Sequence, residues 1–163
     1  AYVDFCEKNS LFDLINEYKN LIFTRTFSKA FSLASLRVGY GVYNKNKFPS
    51  LIKYFNPKSV SLISTVVCRK VLNENKHLKY IEDVKKFKEY LRGLNEKNLI
   101  INEGNFFLYK PKSNIKEYIA KLKKNKIYVR DRSHLYGLEG YVRISISDYS
   151  VMISLVDILL EKK

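Results

Sequence analysis

The stretch between residues 20 and 44, NLIFTRTFSKAFSLASLRVGYGVYN, constrains the fold more than any other part of the sequence. Its first eight residues are apolar and partly β-branched, which predicts a buried strand. LRVGYGVYN predicts a second strand, in which Gly39 and Gly41 share one side and indicate close backbone approach there. Helical patterns precede and follow these strands, so we expect a chain that mixes helices and strands.

The loop between the two predicted strands carries a single lysine beside hydroxyl groups. Thr26 and Ser28 come just before Lys29, and Arg37 follows a run of small and apolar residues. A lysine amine becomes nucleophilic when apolar surroundings or neighbouring cations destabilise its ammonium form. Such a lysine often binds the aldehyde of pyridoxal phosphate (PLP), whose phosphate needs hydroxyl and guanidinium donors nearby. The residues leave an alternative open, in which Lys29 is a solvated loop residue and Arg37 an ordinary cation at a strand start.

The rest of the chain changes character at residue 99. Before it, the patterns predict a strand at residues 1–6, a helix capped by Asn9 or Ser10, an apolar helix at 59–73 and a long polar helix at 75–98. The long helix has a narrow apolar stripe: Leu78, Ile81, Val84, Phe87, Leu91 and Leu94. After residue 99 we expect two strands around Gly104, a helix at 114–125, strands at 126–131 and 140–147, and a closing helix.

Composition excludes several classes of protein. The net charge of +14 comes from lysines spread along the whole chain, so we expect no nucleic-acid partner. The apolar runs are far shorter than a membrane span, and no secretory signal pattern is present, which favours the cytoplasm. Cys6 and Cys68 are far apart and form no CxxC pair, so we expect neither a disulfide nor a metal site.

Residues 25–42, RTFSKAFSLASLRVGYGV, resemble the cofactor-lysine segment of the fold-type I PLP-dependent aminotransferases, particularly the histidinol-phosphate aminotransferase group. Three weaker segments agree in order and spacing: AYVDF at 1–5, GNFFL at 104–108 and GYVRISIS at 140–147. The resemblance implies an α/β fold, in which the end of the large-domain sheet is followed by a small α+β domain. It divides the chain into the C-terminal part of the PLP-binding large domain at 1–75, a linking helix at 76–98, and the small C-terminal α+β domain at 99–163.

The resemblance also implies roles for individual residues. Lys29 would bind the cofactor covalently and then move protons at the substrate Cα. Tyr2 would donate a hydrogen bond to the cofactor ring oxygen O3′, and Arg143 would grip a substrate carboxylate or another anion. Three donors would bind the cofactor phosphate: Arg37, Ser28 and Thr26. The residues alone leave two alternatives open, in which Tyr2 is a plain strand aromatic and Arg143 is a surface strand residue. Arg130 is a further candidate, for the substrate entrance.

The resemblance further implies that this chain is part of a longer protein. Its first residues, AYVDF, are strand-like without a methionine, and the family's aspartate that pairs with the pyridinium nitrogen would lie before Ala1. We therefore expect a fragment that is inactive alone, from a homodimeric aminotransferase of amino-acid biosynthesis that acts on an amino acid and a keto or phosphorylated substrate. The alternatives are a PLP-dependent decarboxylase of a phospho-amino acid and a non-catalytic remnant or binding domain.

Overall fold

The computed structural model describes residues 1–6, 13–54, 56 and 60–162. The chain divides into two compact units, Ala1–Ile81 and Glu82–Lys163. Helices and small antiparallel sheets make up both units, which confirms the predicted α/β class. No helix in these described stretches has the length and apolar character needed to cross a membrane. The finer division into residues 1–75, 76–98 and 99–163 stays a prediction.

The first unit is organised around one β-hairpin. Strand β1 pairs antiparallel with β2, from Ile22 opposite Tyr43 to Thr26 opposite Gly39. Its helices and strands are α1 (Leu14–Glu17), β1 (Ile22–Thr26), β2 (Gly39–Tyr43), α2 (Leu62–Glu74) and the start of α3 (Lys76–Gly93), with 3₁₀ turns at Val3–Phe5, Ala34–Leu36 and Pro49–Tyr54. Both predicted strands and both long helices are confirmed, whereas the predicted caps Asn9 and Ser10 lie outside the described residues.

The strand predicted for residues 1–6 is wrong, because this segment forms a 3₁₀ turn. The Phe5 amide donates to the Tyr2 carbonyl at 3.0 Å, and the Cys6 amide donates to the Val3 carbonyl at 3.1 Å. These local bonds satisfy backbone groups that a strand would present to a neighbouring strand. Phe5 is buried at 1% exposure, so the apolar pattern reflects an anchor in the core rather than a strand face.

Close backbone approach, expected at both glycines of β2, occurs at Gly39 alone. A Cβ added at Gly39 would lie 2.6 Å from the backbone oxygen of Arg25, across the hairpin. A Cβ at Gly41 would meet the Ile22 side chain at 3.8 Å, an ordinary contact. The hairpin therefore requires glycine where β2 begins, directly after the loop.

We expect Gly39→Ala to destabilise the protein by about 1–3 kcal/mol, because the added methyl group meets rigid backbone. Gly41→Ala is the matched control, since the same change on the same strand meets only van der Waals contact. Urea unfolding of both variants measures the difference. Equal stability of the two variants would contradict the required close approach.

The second unit contains a four-stranded antiparallel sheet in the order β3-β4-β6-β5. Its elements are the rest of α3, β3 (Leu99–Ile101), β4 (Phe106–Tyr109), α4 (Ile115–Lys124), β5 (Arg130–Asp131), β6 (Val142–Ser145) and α5 (Tyr149–Leu159). Val84, Phe87 and Leu91 of the predicted α3 stripe are buried. The core of this unit also includes Phe107, Tyr109, Tyr118, Leu122, Val142, Ile144, Met152, Val156 and Leu159.

Strand β5 is shorter than predicted because the end of α4 uses the preceding residues. The Ile127 amide donates to the Leu122 carbonyl at 2.9 Å, and Lys126 has a left-handed φ of 61°. This geometry closes the C-terminus of the helix and satisfies its last carbonyl groups. Residues 126 and 127 thus belong to the helix end, and the strand is limited to Arg130 and Asp131.

Hydrogen bonds of two buried tyrosines and one carboxylate hold the last described residues against the rest of the second unit. The Tyr118 hydroxyl donates to the Leu159 carbonyl at 2.8 Å, and the Tyr109 hydroxyl donates to the Leu160 carbonyl at 3.1 Å. The Glu161 carboxylate accepts from the Lys112 amide at 2.6 Å and from the Ser113 hydroxyl. Burial alone would raise the pKa of Glu161, but the hydrogen bonds from Ser113 and Lys112 lower it below its ordinary value.

Because the pKa of Glu161 is lower in the folded protein, its contribution to stability is present above the unfolded pKa of about 4.3 and is lost as the pH falls through the folded value. We expect Glu161→Gln to destabilise the protein by about 1–3 kcal/mol at pH 7 and by less at pH 3. Urea unfolding at both pH values measures this, with the exposed Glu103→Gln as control. A loss that is unchanged at pH 3 would disprove the role of the charge.

Candidate cofactor site

The loop that joins β1 to β2 is a compact structure held by its own backbone. At its base, the Phe27 amide donates to the Val38 carbonyl at 3.1 Å, which extends the hairpin pairing by one step. Inside the loop, the Leu33 amide donates to the Phe27 carbonyl at 2.9 Å, and the Ser32 amide donates to the Lys29 carbonyl at 3.1 Å. The loop therefore presents its side chains from a folded turn rather than from an open connection.

All four predicted loop residues belong to this turn and its edges. Thr26 ends β1, and its hydroxyl oxygen accepts a hydrogen bond from the Ser28 amide at 3.1 Å. Lys29 is half-buried. Arg37 is exposed, with a left-handed φ of 54°, and donates one guanidinium hydrogen bond to the Ala34 carbonyl at 3.2 Å. A hydroxyl that accepts can still donate, and a guanidinium carries five N–H groups, so this set can donate to an anion.

The structure brings Tyr2 to Lys29. The Nζ atom of Lys29 lies 5.4 Å from the centroid of the Tyr2 ring, within cation–π distance. Two residues beyond Tyr2, the Asp4 carboxylate forms an ion pair with the Arg25 guanidinium of β1. Asp4 and Arg25 are 21 positions apart and no local pattern connects them, so neither could be predicted from the sequence as part of the site.

Aromatic side chains pack against one another within the lysine loop and next to it. Phe27 is only 7% exposed and packs against Phe31, with ring centroids 4.8 Å apart. Phe31 in turn packs against the His77 ring of α3 at 4.4 Å. Ala30, directly after the lysine, is 1% exposed. The backbone on either side of Lys29 is therefore held by buried apolar neighbours.

Arg143 lies on β6 of the second unit, between the buried Val142 and Ile144. Its guanidinium carbon lies 5.1 Å from the centroid of the Phe106 ring. Its Nε atom is buried and has no hydrogen-bond partner within the described part of the chain. Arg130 of β5 is its register partner. Like charges directly opposite each other on neighbouring strands destabilise a sheet, so this pair is suited to an anion that neutralises both.

Thr26, Ser28, Lys29 and Arg37 thus lie on one hairpin loop and its edges, and the Tyr2 ring lies beside the Lys29 amine. The chain belongs to the aminotransferase class I and II family, which residues 1–159 match.

Two curated relatives illustrate the similarity. A histidinol-phosphate aminotransferase from Thermoanaerobacter sp. is 39% identical over 153 residues, which are 90% of this chain and 42% of the relative. A dihydroxyacetone phosphate transaminase from Campylobacter jejuni is 35% identical over 160 residues, which are 93% of this chain and 42% of the relative. The chain thus spans less than half the length of these relatives.

Solved structures show the same fold. A histidinol-phosphate aminotransferase from Sinorhizobium meliloti, in complex with pyridoxal-5′-phosphate, superimposes with a TM-score of 0.73 at 21% identity, covering 99% of this chain and 46% of that one. An L-threonine-O-3-phosphate decarboxylase from Porphyromonas gingivalis superimposes with a TM-score of 0.70 at 24% identity, covering 97% and 51%. At this level of identity the likeness establishes the fold alone.

Proposed function

We propose that the complete protein is a PLP-dependent aminotransferase similar to the histidinol-phosphate aminotransferases. It moves an amino group between an amino acid and a keto or phosphorylated substrate. The observation that carries this proposal is the Lys29 amine, held beside the Tyr2 ring on a hairpin loop that also bears the anion donors. Membership of the aminotransferase class I and II family supports the same conclusion.

The residues of the loop fit PLP by their chemistry. An exposed guanidinium and two hydroxyl-bearing side chains suit a phosphate, and an amine beside a phenol suits an aldehyde next to a ring oxygen. The fitting residues are Arg37, Thr26, Ser28, Lys29 and Tyr2. When bound, PLP supplies a ring that accepts electrons from the substrate Cα.

The chain's own residues then have separable tasks in this mechanism. The amine of Lys29 would hold the cofactor through its aldehyde and, once the substrate amine has displaced it, would take and return a proton at the substrate Cα. The Arg37 guanidinium would neutralise the cofactor phosphate, and the Tyr2 hydroxyl would donate to the ring oxygen O3′. The compact turn fixes the backbone that carries Thr26, Ser28, Lys29 and Arg37 before the cofactor binds, so less ordering is needed on binding.

We propose that Arg143 binds the anionic group of the substrate and that Arg130 assists it. The register pairing of the two arginines and the buried Nε of Arg143 support this assignment. A dianionic phosphate neutralises two guanidinium groups better than a carboxylate does. The names of two relatives, which contain histidinol phosphate and dihydroxyacetone phosphate, agree with a phosphorylated substrate.

Borohydride reduction of the complete protein with PLP tests the proposed function. The expected result is a pyridoxyl group on Lys29, found by peptide mass spectrometry, and a keto product in a separate, unreduced sample that is given the amino donor. An unmodified Lys29 would refute the function and favour a non-catalytic domain. Carbon dioxide release without a keto product would identify a decarboxylase instead.

We also propose a cytoplasmic homodimer, on the family resemblance alone.

A further inference from the structure

The Asp4–Arg25 ion pair is unusual because both of its side chains are nearly buried. The Asp4 side chain is 12% exposed and the Arg25 side chain 13% exposed. Withdrawing two charges from water costs several kcal/mol, which their attraction offsets only in good geometry. A buried pair of this kind is poor evidence of net stabilisation. It does link two segments, because the carboxylate and the guanidinium belong to Asp4 and Arg25, which are 21 positions apart in the chain.

The pair fixes the segment that carries Tyr2. Asp4 lies in the 3₁₀ turn Val3–Phe5, and the Phe5 amide bonds the Tyr2 carbonyl at 3.0 Å. Only one residue separates Tyr2 from Asp4, so holding the carboxylate at a fixed point limits the backbone at Tyr2. On the other side, Arg25 belongs to β1, four residues before Lys29. The ion pair and the contact between the Tyr2 ring and the Lys29 amine therefore join the same two segments.

Phe5 anchors this segment by a different kind of contact. Phe5 is 1% exposed, and its ring packs in a T-shaped arrangement with the Tyr80 ring, with centroids 5.8 Å apart. Apolar burial has no direction, so Phe5 holds the segment in place without fixing the angle at which Tyr2 points. A charged hydrogen bond does have direction. The two anchors thus supply attachment and orientation separately.

We infer that Asp4 and Arg25 form a positioning pair that holds the Tyr2 phenol against the Lys29 amine. Neither residue takes part in the chemistry itself. The inference rests on the proposed function in one respect, since a fixed phenol matters for catalysis only if Lys29 binds PLP. The geometry that it describes can be tested without the cofactor.

The first test uses the complete, cofactor-free protein and an amine-acetylating reagent. Labelling of Lys29 is followed by mass spectrometry in Asp4→Asn, Tyr2→Ala and the double variant, with the exposed Asp13→Asn as control. Loss of the Tyr2 ring contact uncovers the amine, so we expect labelling about threefold faster in each single variant and no further gain in the double variant. Additive effects, or wild-type labelling in Asp4→Asn, would overturn the inference.

The second test uses the PLP-loaded protein and the pH midpoint of its visible absorbance. A phenol hydrogen bond to O3′ favours the deprotonated chromophore, so misplacing Tyr2 raises the midpoint, by about half to one pH unit. Removing the Asp4 charge alone would lower the midpoint, because a nearby negative charge favours the protonated form. The sign of the shift in Asp4→Asn therefore separates positioning from simple electrostatics.

The control for the second test is Tyr2→Phe, which should raise the midpoint by itself. In that background Asp4→Asn should raise it no further. A lowered or unchanged midpoint in Asp4→Asn would overturn the inference. A protein that shows the coupled labelling but takes up no PLP would refute the proposed function and still support the positioning of Tyr2.

Discussion

Lys29→Ala is expected to lower kcat for amino transfer by at least about 10³-fold in the complete protein, because in the proposed mechanism one side chain both binds the cofactor and moves the proton. The same variant should lose the pyridoxyl adduct after borohydride reduction. Amino transfer is measured as keto product formed per active site, at saturating amino donor. Lys29→Arg should be nearly as inactive, since a guanidinium retains the charge but cannot act as a neutral amine.

Lys45→Ala is the matched control, because Lys45 is an exposed lysine in the same unit. It should retain the activity and the melting temperature of the wild type. When both proteins are compared without cofactor, Lys29→Ala should also melt close to the wild type, because the loop is closed by backbone hydrogen bonds and by the buried Phe27. Substantial activity in Lys29→Ala would remove the basis of the proposed mechanism.

The hairpin and its loop could be predicted from the sequence because their signals are local. The strand composition and the position of Lys29 before the second strand are both contained within 25 residues of sequence. The structure has β1 and β2 where these patterns predicted them. The close approach at Gly39 depends on which residue of β1 lies opposite. That register is a tertiary property, so the sequence did not distinguish Gly39 from Gly41.

The errors at residues 1–6 and at β5 have a common physical origin. Alternating apolar residues identify buried positions, but they do not identify the hydrogen-bond partners of the backbone. At Val3–Phe5 and at residues 126–127 those partners are local carbonyl groups. Pairings between distant residues have no sequence signal of their own, which applies to Asp4 with Arg25 and to Arg130 with Arg143.

The register of β5 and β6 places Arg130 opposite Arg143, which we propose to bind the substrate anion. Arg143→Ala should lower kcat/KM for a phosphorylated amino donor by about 10²-fold or more, as expected when one partner of a buried charge contact is removed. Arg130→Ala should lower it by about tenfold, because Arg130 is exposed and its charge is screened by water. Lys121→Ala, an exposed cation of the same unit, should change it by less than about twofold.

Comparing kcat/KM for a phosphorylated and an unphosphorylated amino donor shows whether Arg143 binds the phosphate or the carboxylate. If the paired arginines bind phosphate, the unphosphorylated donor is poor with the wild type and equally poor with Arg143→Ala, so the ratio between donors collapses toward one. If Arg143 binds the carboxylate common to both donors, the variant loses activity toward both and the ratio is preserved. Arg143→Lys is a further variant, because an ammonium keeps the charge but loses the two-pronged contact. The part of kcat/KM that Arg143→Lys retains relative to Arg143→Ala measures the contribution of the charge alone. Full activity of Arg143→Ala toward both donors would show that the buried Nε atom serves another ligand.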